Sequence, residues 1–477
     1  MQSKLSSSNI GWGLFLILCI IGSFRLYSYP YFPLLNSDHA LSILHIHFFN
    51  WPTDFYAYGQ DRMGNLIPLL ARPLYLAGVP VLWAEAIIHY GIYILGFLAW
   101  ASFLKKTPTK ALFAIWWFFP NARLMNMVDF SFGTSIALVG IAFYLLYSLQ
   151  NKKPIGALIL YFFFSFLAIW VNDFALFFIA SAAICFSLAI QFSWNNRITY
   201  KLTHWIVANI LAAIIIGGVL YYFKSKVQVE YGGLSSFKDM HEIINVFLLS
   251  LQEIFLATQK NYLESIFAFV SLLMVGYVLF RLVEKSKANS LVYTLIASVL
   301  VCFIAVLSTK FTLLGGVPRR YFILPYFCLL MMFLLLWESD VKASKWWNIL
   351  LFTGLVSGSI SSVWEMKYQY PKTLKPKAQI IAELKPTAPI AVLGNYWNAY
   401  IHSVVWPDKV YSIVKEDDLI RDWSMVERFL QFDTIYVNRD MWMDSFPDTL
   451  NQYGNVYLKY GNEFKIADSN MNLYIKQ

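Results

Sequence analysis

Apolar stretches of about 20 residues, separated by short polar breaks, recur along most of the chain. A helix needs about that many largely apolar residues to cross the hydrocarbon core of a bilayer. The pattern predicts about eleven transmembrane helices, at roughly 10–27, 82–104, 111–128, 133–149, 155–171, 174–192, 202–222, 262–282, 289–307, 322–337 and 347–363. Pro120 and Arg123 interrupt the second half of the third. The stretch 66–80 is apolar but holds Pro68, Arg72, Pro73 and Pro80, and it reads as interfacial rather than spanning.

Near residue 371 the period changes. Pro371, Pro376, Pro386 and Pro389 mark a boundary. Beyond it, strand-like runs at 390–393, 410–414, 434–438, 456–459 and 473–476 alternate with helical patterns at 375–384, 417–432 and 443–453. Such alternation predicts a small α/β domain. The expected fold class is a polytopic α-helical membrane protein with a C-terminal α/β domain, divided into a transmembrane domain at 1–364 and an outer domain at 371–477. No internal repeat is evident. Within 223–261, Ile243, Ile244, Phe247, Leu248, Leu251, Ile254 and Phe255 follow i, i+3, i+4 spacing. That fits an amphipathic helix, lying on the membrane plane or packed on the bundle.

Composition agrees with the periodicity: 58% of the 477 residues are hydrophobic and 14% charged, against about 25% charged in soluble domains. The formal charge of +9 invites a nucleic-acid reading, but its distribution excludes one. Lys105, Lys106 and Lys110, then Lys152 and Lys153, Arg197 and Lys201, Arg281, Lys285 and Lys287, and Lys342 and Lys345 fall in alternate short loops. Cytoplasmic loops carry that excess. The N-terminus is therefore expected in the cytoplasm, with loops 28–81, 121–132, 172–173, 223–261 and 308–321 and the C-terminal domain on the extracytoplasmic side. Cys19, Cys185, Cys302 and Cys328 lie inside predicted spans, so no disulfide framework is expected. Arg25, Leu26 and Tyr27, rather than a small-residue cleavage site, follow the first apolar core, which reads as an uncleaved anchor.

The chemistry-bearing residues gather in the outer loops. Asp38 and His39 follow the first span directly. A carboxylate at the membrane surface is costly unless used or paired. Asp38 fits a general base taking a proton from an acceptor hydroxyl, although spacing alone favours a cap for a helix starting at Ala40. His39, His45 and His47 resemble a metal set, but residues i and i+2 of a helix do not share a face; no metal or other cofactor is expected.

Further along the same loop, Tyr56-Ala57-Tyr58-Gly59-Gln60-Asp61-Arg62-Met63-Gly64 brackets a polar cluster with glycines. It suits a backbone that approaches a ligand, or a simple Asp61/Arg62 surface pair. Arg319 and Arg320, before Tyr321, break the positive-inside pattern; guanidinium forks suit a phosphate, or lipid headgroups. Arg123, Asp129 and Asp173 add charge on the same side. Within the fourth-position spacing of one helix face, Glu85 and His89 suit mutual satisfaction in the bundle or a functional pair.

Together these features resemble the GT-C superfamily of polytopic glycosyltransferases. The matching residues are Ser37-Asp38-His39-Ala40, Tyr58-Gly59-Gln60 with Met63-Gly64, Arg319-Arg320-Tyr321-Phe322 with Pro325, and Gly394-Asn395-Tyr396-Trp397-Asn398-Ala399-Tyr400. The layout covers nearly the whole chain, though each motif is short. The resemblance implies a polyprenyl-phosphate-sugar donor, a glycan or lipid acceptor such as lipopolysaccharide O-antigen, and residence in the inner (plasma) membrane. It implies that Asp38 is the catalytic acidic residue and that Arg319, Arg320 and Tyr321 bind donor phosphate. Tyr58, Gln60, Asp61, Arg62, Arg123, Asp129 and Asp173 are then the candidates for contacting donor or acceptor. Many members carry a second acidic residue where this chain has His39, so His39 shares the acceptor contact or another carboxylate replaces it. The rival reading, a transporter or flippase of lipid-linked sugars, would place its charges near the bilayer midplane in two related halves. Here they collect on one side.

Overall fold

The computed structural model describes residues 7–477 apart from 32–34, 36, 52, 58–60, 122–123, 130, 150–153, 193–200, 228–239, 256–261, 284–289, 308–318, 340–344, 369–373, 385–386, 418–419, 421–422, 440–441 and 467–468. The helices are α1 (Ser7–Tyr27), α2 (Ser37–Phe48), α3 (Leu66–Leu76), α4 (Val81–Ala101), α5 (Thr107–Phe118), α6 (Asn126–Asp129), α7 (Ser131–Tyr144), α8 (Pro154–Val171), α9 (Ala175–Gln191), α10 (Leu202–Lys224), α11 (Met240–Phe255), α12 (Tyr262–Val283), α13 (Ser290–Leu307), α14 (Ile323–Ser339) and α15 (Lys345–Tyr368). The C-terminal part adds α16 (Leu374–Leu384), α17 (Tyr396–Val405) and α18 (Trp423–Phe429) with six strands.

Among the described residues five helices are long and apolar enough to cross a membrane: Ile10–Tyr27, Val81–Ala101, Leu202–Lys224, Tyr262–Leu282 and Ser290–Leu307. Six shorter apolar helices accompany them. The segment 111–128 is not one helix. α5 stops at Phe118 ahead of Pro120, and a separate short α6 follows. Proline disfavours helical backbone in the residue before it and lacks the N–H that a continuing helix needs. α3, over the stretch read as interfacial, has 11 residues and carries Pro73 inside; at 1.5 Å per residue it is far short of a bilayer core.

The chain splits into two compact units. One comprises Met1–Tyr27, His89–Tyr221 and Gly232–Gln369; the other comprises Ser28–Ile88, Tyr222–Tyr231 and Tyr370–Gln477. The first loop thus joins the C-terminal sheet in one unit, a grouping that the sequence did not suggest.

In the helical unit, glycines let helices approach closely. A Cβ on Gly140 would strike the Trp100 indole, and one on Gly354 would strike Val270. Trp100 is fully buried and donates its indole N–H to the Ile136 carbonyl at 2.9 Å. Tyr93, Phe97, Phe113, Trp117 and Phe327 continue the aromatic packing. The first turn of α5 has no side-chain cap of its own. Instead the Glu338 carboxylate, near the end of α14, accepts the backbone N–H groups of Lys105 and Lys106 at 2.8 and 2.7 Å.

The other unit is built on a mixed sheet in the order β2-β1-β3-β6-β5-β4. Its strands are β1 (Ile390–Gly394), β2 (Val410–Val414), β3 (Thr434–Asn438), β4 (Thr449–Gln452), β5 (Asn455–Ile466) and β6 (Ser469–Lys476). β1 runs parallel to β2 and β3, and β6 runs antiparallel to β3 and β5. The helical pattern at 443–453 is instead irregular chain leading into β4. Tyr453 and Gly454 both have positive φ (51° and 73°) between the paired Gln452 and Asn455. That is the backbone of a two-residue hairpin with the sheet's own twist. Met443, Phe446, Leu450 and Tyr453 mimic helical spacing because they reach the same core from a loop and a strand. The helix expected at 417–432 shortens to α18, and α17 was absent from the sequence prediction altogether.

Candidate functional site

α2 explains why the first loop folds with the sheet. Ala40, Leu41, Ile43, Leu44 and Ile46 are all at most 3% exposed, so apolar side chains cover more than half the circumference of the helix, and the buried His45 lies in the remaining sector. Leu41 and Leu44 enter the core formed by Ala391, Leu393, Ala399, Tyr400 and Val437. Ile46 packs with Ala71 of α3 and Ala84. Each such side chain is worth about 1.5–3 kcal/mol when buried, so α2 is held between α3 on one flank and α17 on the other.

This packing fixes the start of α2. Asp38 lies inside the first turn rather than at the cap position, where the positive end of the helix favours a carboxylate. It is half-buried. Its Oδ1 accepts a hydrogen bond from the Tyr396 hydroxyl at 2.7 Å across 358 positions of sequence. Tyr396 opens α17 immediately after β1. Its turn is fixed by Asn395, whose side-chain oxygen accepts the Asn398 backbone N–H at 3.1 Å. The Tyr396 ring is 7% exposed and packs edge-on against Trp397 and Tyr400.

His39 is buried, with its ring 5.6 Å from that of Tyr29. The three histidines of α2 take separate surroundings. His45 is fully buried and donates Nδ1–H to the Leu41 carbonyl at 3.0 Å, and burial pushes its pKa down to about 3. His47 donates Nε2–H to Asp408 at 2.8 Å and accepts at Nδ1 from the Tyr75 hydroxyl at 2.5 Å. Arg72 donates to the carbonyls of Ile46 and His47 at 3.0 and 2.7 Å, closing the last turn of α2. Among the described residues no three His, Cys, Asp or Glu side chains gather into a set suited to a metal.

Asp61 and Arg62 lie on the short loop closed by the Tyr56–Gly64 bridge, 4.0 Å apart and both partly exposed. Tyr58, Gln60 and Arg123 fall outside the described residues. So do the side chains of Asp129, at the end of α6, and of Arg319 and Arg320, whose backbones form a 3₁₀ turn, Arg319–Phe322.

In the helical unit three predicted outer loops meet. Tyr321 lies with its ring 6.0 Å from Phe174, next to the half-buried Asp173. The Phe174 ring lies 5.6 Å from that of Phe132, tilted by 40°, and the Asn172 amide donates to the Ser131 hydroxyl at 3.1 Å. His89 donates Nε2–H to the Val128 carbonyl at 2.6 Å, so its Nδ1 accepts from Thr134 at 3.3 Å. A carbonyl can only accept, which sets the tautomer.

Sequence reasoning placed Tyr396 in a motif without giving it a task. The available signal was the break in hydrophobic pattern at Gly394-Asn395, a strand end followed by a cap. It overlooked His47, Asp408, Tyr75 and Arg72 as a connected group.

By fold, the described residues form a helical protein with five helices of membrane-crossing length and a six-stranded C-terminal sheet. No protein-family model matches it, and neither does any curated protein. Among solved structures it is similar to the oligosaccharyltransferase of Archaeoglobus fulgidus in the apo form (11% identity, TM-score 0.48), covering 84% of this chain and 64% of that one. It is also similar to ArnT from Cupriavidus metallidurans in the apo state (10% identity, TM-score 0.46) and bound to undecaprenyl phosphate (10% identity, TM-score 0.48), covering 98% of both chains in each case. The chain spans less than two-thirds of the archaeal oligosaccharyltransferase, and no residue role follows from likeness at this level.

Proposed function

We propose that the chain is an integral membrane glycosyltransferase that moves a sugar from a polyprenyl-phosphate-linked donor to an extracytoplasmic acceptor. The acceptor we favour is a cell-envelope glycan such as lipopolysaccharide O-antigen. The observation that carries the reading is Asp38: a half-buried carboxylate in the first turn of the helix after the first apolar segment, held by a hydroxyl donor. Asp38 takes the proton of the acceptor hydroxyl as that oxygen bonds to the sugar's anomeric carbon. The bond from that carbon to the phosphate oxygen breaks, and polyprenyl phosphate leaves with its electron pair. General-base help of this kind contributes about 10²–10⁴-fold.

His39 shares the acceptor contact. Arg319 and Arg320, with Tyr321, hold the donor phosphate, and Tyr58, Gln60, Asp61, Arg62, Arg123, Asp129 and Asp173 are the candidates for binding acceptor or donor. The reading calls for no metal or other cofactor. In it the protein sits in the inner membrane with about eleven spans, its N-terminus in the cytoplasm and its C-terminal domain outside, as the loop charges suggest.

The test is transfer of radiolabelled sugar from polyprenyl-phosphate donors to a cell-envelope acceptor fraction, by wild type and Asp38→Asn. Transfer by wild type that the substitution abolishes, at equal expression, supports the reading. Equal transfer by both removes Asp38 as base, and no transfer by either from any donor favours a carrier of lipid-linked sugars.

A further inference from the structure

The C-terminal sheet places its own residue on the proposed base. β1 lies between β2 and β3, all three parallel. The chain leaves β1 for β2 on one side and later reaches β3 on the other. In open sheets of this kind the strand order reverses beside such a strand, and functional groups collect in the crevice outside its carboxyl end. β1 ends at Gly394, and Asn395 and Tyr396 follow directly. Asp38 is brought to this end by α2.

The hydroxyl that meets Asp38 is unusually well fixed. Tyr396 belongs to a capped helix turn, its ring is 7% exposed, and its neighbours Ala399 and Tyr400 are buried in the core that also takes Leu41 and Leu44 of α2. Donor and acceptor therefore belong to two helices locked by one core. A hydrogen bond to a carboxylate is among the stronger kinds, and a tyrosine, with two rotatable side-chain torsions, holds its hydroxyl at small entropic cost.

We propose that Tyr396 is a positioning residue for the transfer reaction. Its hydroxyl fixes Oδ1 of Asp38, and with it the plane of the carboxylate, so that the base meets the acceptor hydroxyl at a set distance and angle. The C-terminal domain then contributes a residue to the proposed base. The inference rests on the transferase reading above. Tyr396 neither gains nor loses a proton in the reaction; the proton from the acceptor goes to Asp38.

Tyr396→Phe removes the hydroxyl and keeps the ring in its core. In the full-length chain, kcat should fall about 10- to 100-fold, the scale expected when a reacting group is misplaced by about 1 Å. KM for donor and acceptor should stay within about twofold, because substrate binding is left alone. The unfolding midpoint should move by no more than a few degrees. A kcat within about twofold of wild type, with Asp38→Asn inactive, overturns the role of Tyr396 and leaves the transferase reading standing. A loss of kcat that comes with raised KM and a lost or much lower unfolding transition means that Tyr396 only holds the fold, and also overturns it. Absence of transfer by wild type from every donor overturns both readings.

Discussion

His47 of α2 and Asp408, from the turn before β2, meet at 2.8 Å although 361 positions separate them. The imidazole is mostly buried and the carboxylate 71% exposed. An exposed partner limits what the contact is worth: such pairs typically contribute 0–1 kcal/mol. Asp408→Asn is therefore expected to cost about 0.5 kcal/mol. Arg72→Ala should cost more, on the order of 1–2 kcal/mol, because it strips both carbonyls at the end of α2 of their donor. Chemical unfolding of the two variants in detergent checks the order; an equal or larger effect at Asp408 would contradict it.

Acid should weaken the unit that holds the sheet. Burial pushes both His45 and His402 down to about 3, against 6.5 when exposed; the charge of Lys377 adds to the shift of His402. Between pH 6.5 and 3 the unfolded chain binds protons that the folded chain refuses, so stability is full above about 6.5 and falls as pH drops through that window. At pH 5 the loss is on the order of 2 kcal/mol for each histidine. Unfolding followed from pH 7.5 to 5 should show it. His402→Gln should show a shallower acid slope even if less stable throughout, and an unchanged slope would remove His402 from the account.

Gly140 has no room for a side chain. A Cβ there would strike the Trp100 ring, which is buried and tied to the Ile136 carbonyl. Overpacking of this kind costs about 1–3 kcal/mol. Gly140→Val should lower the thermal midpoint by several degrees. Gly156→Val, at a position where a Cβ meets nothing within 4 Å, should leave it nearly unchanged.

Glu338 does for α5 what a capping side chain would do, from another helix. Glu338→Gln keeps an acceptor oxygen but loses the charge that charge-assisted bonds to N–H groups exploit. Glu338→Ala loses both, and should cost about 1–2 kcal/mol against a smaller loss for Gln. Thermal unfolding of the two variants decides, and a Gln variant as weak as Ala would show that charge alone matters.

The parts of this protein that repeat locally were open to reading from sequence. β2 and β3 coincide with the strand-like runs at 410–414 and 434–438, because runs rich in β-branched and aromatic residues between turn residues need no distant partner to be recognised. Helices occur at the long apolar segments for the same reason: with their backbone bonds made internally, length and apolarity suffice. Asp38 stood out because a carboxylate beside a span demands an explanation.

The tertiary structure decided what depends on chain segments meeting. Helical spacing at 443–453 was imitated by residues reaching one core from a loop and a strand, and Tyr453-Gly454 made the hairpin. α17 has a short, mixed sequence whose apolar face is defined only by what it packs on, the sheet and α2. No local pattern announces that α2 packs between α3 and α17 and sets the Asp38 carboxylate against the Tyr396 hydroxyl. A hydrogen bond across 358 positions has no period and no local pattern. It exists because one core, built from ordinary apolar side chains of both helices, brings those two residues to one place.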